Sequence, residues 1–131
     1  MSQPYVSTLT EVSAQRALRN ATLSAKRQGN TIVRGSCGTY KDCGTAAPHP
    51  DSKKVCAQCA FLRQEGVPFD HVDGTGEAAK ILEVPEDWVF SFFQGYDGNP
   101  TCDNGYPSAF RAGRKLAAAF GLGDDGTENE D

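Results

Sequence analysis

The chain has 131 residues, 38% of them hydrophobic, and a formal net charge of −4 at pH 7. That length fits one small domain, and so modest an apolar fraction leaves a core that needs a metal or a cross-link to complete it. No stretch approaches the roughly 20 apolar residues that span a bilayer, and the start lacks the basic segment, apolar run and small-residue cleavage site of a secretory signal. A soluble cytoplasmic protein without membrane contact is expected.

The charge is uneven along the chain. Up to Gly66 nine basic residues face four acidic ones, and from Val67 onward four basic residues face thirteen acidic ones. Such polarity suits steering of a charged partner, or attraction between the two halves.

In chain order, Thr8-Leu-Thr-Glu11 reads as a capping box that opens a helix ending at Gly29-Asn30. Ala14, Ala17, Leu18, Ala21 and Ala25 form its narrow apolar face, and Arg16, Arg19, Lys26 and Arg27 lie off that face. These four cations make either a solvated surface or a nucleic-acid contact surface. Thr31 to Arg34 is a short β-prone run, and Gly35 to Ser52 has the Gly, Pro and polar composition of a loop. A helix over Cys56 to Glu65 stops at Gly66, an extended piece covers Val67 to Val72, and Thr75 caps a short helix through Leu82. Pro85 suits a first helical position, after which Trp88, Val89, Phe92, Phe93 and Tyr96 share a broad apolar face. Pro107 opens a last helix with Ala109, Phe110, Gly113, Leu116, Ala117 and Phe120 on one side, ended by Gly121. These two helices read as an antiparallel pair that glycine and alanine allow to pack closely. The acidic tail 123–131 has nothing to bury and is expected to be disordered.

The sharpest chemical signal is Cys37-x5-Cys43-x12-Cys56-x2-Cys59, which holds four of the five cysteines. Clustered cysteines in a reducing compartment read as metal ligands more readily than as disulfides, and an odd total fits complete pairing poorly. Cys56 and Cys59, three apart at a helix start, can turn both sulfurs toward one point, where unpaired amides favour thiolate. Cys37 and Cys43 complete an all-cysteine structural zinc site, with Gly38 and Gly44 letting the backbone bend. The x5 spacing and the intervening His49 keep a site of three cysteines and one histidine open, with Cys43 and His49 competing for the fourth position. Four thiolates also suit an iron–sulfur cluster. A closed tetrahedron leaves no place for an activated water, so a structural role is expected.

The Cys37-Gly-Thr-Tyr40 segment followed by Cys56-Ala-Gln-Cys-Ala60 resembles a Cys-Gly-Thr…Cys-x-x-Cys segment of small actinobacterial and actinophage proteins, in which a histidine commonly lies between. Its match here is His49, and the extra Cys43 departs from that pattern. Gly95-Tyr96, Cys102, Tyr106, Phe110, Gly113 and Ala117 are similar in order to the ribosome modulation factor family, which implies a ribosome-associated alternative.

Catalytic constellations are weaker. Asp70, His71 and Asp73 need not converge on an extended segment, Gly74-Thr-Gly lacks the rest of a phosphate loop, and Cys102 reads as a half-buried small residue. The expected protein is mainly α: residues 1–122 form one small helical domain with minor short strands, a zinc-stapled loop (35–66) and a helical pair (84–121). It is expected to bind a protein partner and to catalyse nothing. The alternative is nucleic-acid or ribosome association through the basic first half, and an open metal position in a pocket with Cys102 or His71 would revive an enzyme.

Overall fold

The computed structural model describes residues 5–34, 53–67, 74–102 and 105–122. Among them the chain forms five helices and one two-stranded sheet, so the protein is mainly helical. The order is α1 (Thr8–Arg27), β1 (Thr31–Ile32), β2 (Lys54–Val55), α2 (Ala57–Gln64), α3 (Gly74–Leu82), α4 (Glu86–Tyr96) and α5 (Pro107–Ala119).

The start of α1 differs from the expected capping box by one residue. Ser7 is the cap, its Oγ accepting from the Thr10 amide at 3.1 Å, and Thr8 is already helical. Glu11 is freed for a tertiary role, because its carboxylate accepts from the Trp88 indole at 3.0 Å and from the Ser108 hydroxyl. At the other end Gly29 takes φ +93° and the Asn30 amide returns to the Ala25 carbonyl, the left-handed stop that the sequence implies. Ala14, Leu18, Ala21 and Ala25 are buried as expected, joined by Thr22, whose hydroxyl bonds back to the Leu18 carbonyl at 2.7 Å.

β1 and β2 pair in parallel, Thr31 opposite Lys54 and Ile32 opposite Val55. The Thr31 amide donates to the Lys53 carbonyl and the Val33 amide to the Val55 carbonyl; because the strands run parallel, residue 34 leaves at the Cys56 end of the pair and residue 53 enters at the opposite end. The loop expected over 35–52, the acidic tail 123–131 and most of the extended piece 67–72 lie outside the described residues.

Pro85 is the cap of α4, with φ −64° and ψ 152°, rather than its first helical residue. Trp88, Val89, Phe92 and Tyr96 then enter the core as expected, and Trp88 and Phe92 stack with ring centroids 5.7 Å apart. Burial of each such side chain contributes roughly 1.5–3 kcal/mol.

α4 and α5 cross in close contact at Gly95 and Gly113. The Tyr106 amide donates to Ser91 Oγ, Gly95 lies against the Phe110 and Arg114 backbone, and an Arg114 amine nitrogen donates to the Asn99 carbonyl. Gly113 in turn lies against the Phe92 and Tyr96 backbone. Tyr106, directly before α5, thus meets the fully buried Ser91 hydroxyl near the middle of α4. Close approach itself is as expected: a Cβ on Gly113 would lie 1.8 Å from the Phe92 carbonyl oxygen, and one on Gly95 1.9 Å from that of Phe110.

The linear charge polarity is also not the spatial one. α5 comes from the acidic half, yet it packs beside α1, and Lys115 lines a groove with Arg19.

Candidate metal centre

Cys56 ends the β2 segment and begins α2. As the cap of that helix it has extended backbone, φ −89° and ψ 174°, and its sulfur accepts from the Cys59 amide at 3.4 Å. Cys59 lies in the first turn, and both side chains are buried. A cysteine in the place usually held by Ser, Thr, Asp or Asn lets sulfur satisfy an unpaired helix amide, and an N–H donated to sulfur suits a thiolate or a metal-bound cysteine.

Cys59 is disulfide-bonded, whereas Cys56 and Cys102 are thiols. The partner of Cys59 therefore falls outside the described residues, as do Cys37, Cys43 and His49. A disulfide and a metal thiolate are exclusive states of one sulfur, so metal binding through Cys59 belongs to the reduced protein. Among the described residues, no three His, Cys, Asp or Glu side chains come together.

The sequence reading missed the residue that braces this turn. Tyr96, at the last position of α4, sends its hydroxyl to the Val33 carbonyl at 2.6 Å and meets the Ala57 amide at the start of α2. One phenol thus joins the end of β1 to the cysteine turn. Burial pushes the Tyr96 pKa far above its ordinary value, and the neighbouring Cys56 and Asp97 add to this, while the Ala57 amide and Arg34 pull the other way. The hydroxyl accordingly stays protonated and donates. The signal was present in the sequence, since a tyrosine among phenylalanines on a buried face needs a polar partner.

Arg34, next to β1, lays its guanidinium on Gly98, where a Cβ would come within 2.3 Å of it. Among the described residues its Nε is buried without a hydrogen bond.

The remaining candidates are dispersed. Arg16, Arg19, Lys26 and Arg27 are all exposed on α1, and Lys26 lies 5.7 Å from the centroid of Phe120. Thr75 is inside α3 rather than capping it, its hydroxyl facing the buried Gln58 amide oxygen at 3.5 Å. Cys102 is half-buried as expected, 3.8 Å from Ser91 Oγ. Asp70, His71 and Asp73 lie outside the described residues. No described helix is long and apolar enough to cross a membrane. No protein-family model matches the chain, and no curated protein or solved structure is significantly similar to it.

Proposed function

We propose that the protein is a small non-catalytic binding or adaptor protein whose partner surface is stiffened by a structural zinc ion. Cys37, Cys43, Cys56 and Cys59 are the ligands of this reading, with His49 the alternative to Cys43. The observation that carries it is the Cys56-x-x-Cys59 turn, where a capping sulfur receives the Cys59 amide at 3.4 Å directly after a strand. Two sulfurs at one helix start supply half a tetrahedron, and the parallel strand pair sets the exit of β1, which leads into the segment bearing the other ligands, beside the Cys56 end of β2. Filled by four protein ligands, such a site works as a staple.

The test is metal analysis of protein purified under reducing conditions without chelator, followed by cobalt substitution. Near-stoichiometric zinc and a tetrahedral thiolate cobalt spectrum, both lost in Cys56→Ser, are expected. Absence of zinc, with unfolding indifferent to chelator, sinks the reading. Near-stoichiometric iron with sulfide would replace zinc by a cluster on the same ligands.

A second reading is nucleic-acid or ribosome association through Arg16, Arg19, Lys26 and Arg27. Their common exposure on α1, with Lys115 of α5 beside Arg19, favours an anionic partner. It requires affinity for RNA or DNA that falls steeply with salt and with charge reversal of those four residues.

A further inference from the structure

The solvent side of α1 carries a second, unused pattern. Leu9, Val12, Arg16, Arg19, Leu23 and Lys26 follow alternating steps of three and four, the spacing of a seam that meets another helix. Leu9 is 82% and Val12 42% exposed, and Tyr5, four residues before Leu9, is 86% exposed. These large apolar side chains are turned away from the core, which α1 already reaches through Ala14, Leu18, Ala21 and Ala25.

The seam is apolar at its N-terminal end and cationic further on. Beside it a cavity of about 240 Å³ opens between α1 and α5, lined by Gln15 and Arg19 on one helix and Lys115 and Leu116 on the other, over Phe92 of α4. Glu11 is the only carboxylate in either helix, and it points inward to Trp88 and Ser108. Among the described residues the side chains of Arg16, Arg19, Arg27 and Lys115 make no ion pair or hydrogen bond. Uncompensated cations over an apolar floor match a partner with carboxylates and aliphatic side chains together, a combination that a phosphodiester backbone lacks. A second copy overlapping the whole seam sets Arg16 and Arg19 among like charges in either direction.

We propose that the outer face of α1, with its groove against α5, docks an acidic amphipathic helix of a partner protein. The proposal rests on the reading of the chain as a binding protein and says which surface binds. The probe is a fluorescein-labelled helical peptide about three heptads long, with leucines on one stripe and flanking glutamates. It is titrated at low salt onto full-length protein of measured zinc content.

The expected result is saturable binding of this peptide and none of its lysine counterpart. Leu9→Ser with Val12→Ser, and separately Arg19→Glu with Lys115→Glu, should each weaken binding by about tenfold or more. Because Leu9 and Val12 are exposed, their loss spares the fold. Failure of zinc-loaded protein to bind the peptide overturns the proposal alone. Binding by protein that never holds zinc leaves it standing and removes the zinc staple instead. Binding indifferent to Leu9 and Val12 and displaced by heparin identifies a polyanion surface and overturns it. So does a dimer in sedimentation that the two serine changes dissolve, or peptide binding that appears only after Asp124, Asp125, Glu128 and Glu130 are neutralised.

Discussion

Glu11 and Tyr96 each hold several elements with one polar group. The Glu11 carboxylate joins α1 to the indole of Trp88 and the hydroxyl of Ser108, so it ties α4 and α5 to the start of the first helix. Hydrogen bonds to a charged group contribute about 1.5–3 kcal/mol, and their removal leaves the indole N–H of a fully buried tryptophan unpaired. Glu11→Ala should therefore cost about 2–3 kcal/mol, and Glu11→Gln, which keeps an acceptor, visibly less. Urea unfolding followed by the fluorescence of Trp88, the one tryptophan, measures both; equal losses would show that the acceptor is not what matters. Tyr96→Phe should cost about 1–2 kcal/mol at neutral pH. The sign of its pH dependence follows from the raised folded-state pKa. The protonated phenol is favoured by folding, so its contribution is complete below the ordinary tyrosine value of 10.0 and is lost as pH rises above it. The stability gap between wild type and Tyr96→Phe should narrow above pH 10, and a gap that widens there would refute the assignment.

At the scale of elements, the approach of α4 and α5 depends on having no side chain at Gly95 and Gly113. A methyl group at Gly113 would overlap the Phe92 carbonyl oxygen, backbone that cannot rotate away, so Gly113→Ala should cost about 3 kcal/mol or more in chemical unfolding. Glu83 presents the opposite case. It ends α3 at φ +62°, a left-handed position that costs an L residue about 1–2 kcal/mol. Glycine removes that strain at about 0.4–1 kcal/mol of unfolded-state entropy, so Glu83→Gly should be neutral to slightly stabilising, near 0.5 kcal/mol. A loss of stability would mean that the Glu83 side chain holds the turn. Helix limits were legible in the sequence because glycine stops and proline starts act locally, as at Gly29, Gly66, Pro107 and Gly121. The place beside α4 where α5 starts was not, because it is set by the Tyr106 amide finding the buried Ser91 hydroxyl, a contact between residues with no local signature. Of the candidate site, the Cys56 and Cys59 half was legible for the same local reason, whereas Tyr96 acts across 40 residues of chain and left only its hydroxyl as a clue.

For the whole molecule, the cysteine turn lies at one border of a continuous core. Trp88, Phe92 and Tyr96 belong to the same buried cluster as Val55, Cys59 and Leu62, and Tyr96 is the link that touches both the aromatic helix and the cysteine turn. The proposed zinc at that turn would fix backbone that the aromatic packing of α4 and α5 does not, so its removal should be felt by distance from the turn rather than uniformly. Chelation of reduced, zinc-loaded protein should accelerate amide exchange first at Val33, Ala57 and Cys59, where two short strands and a helix start have few other restraints. Trp88 emission and the protection of α4 should persist until higher denaturant. Tyr96→Phe should set the two losses further apart, because the phenol is what couples the turn to α4. Simultaneous loss at all sites in the wild type would instead make the metal a condition for folding the entire chain, and unchanged exchange at the turn would remove the staple altogether.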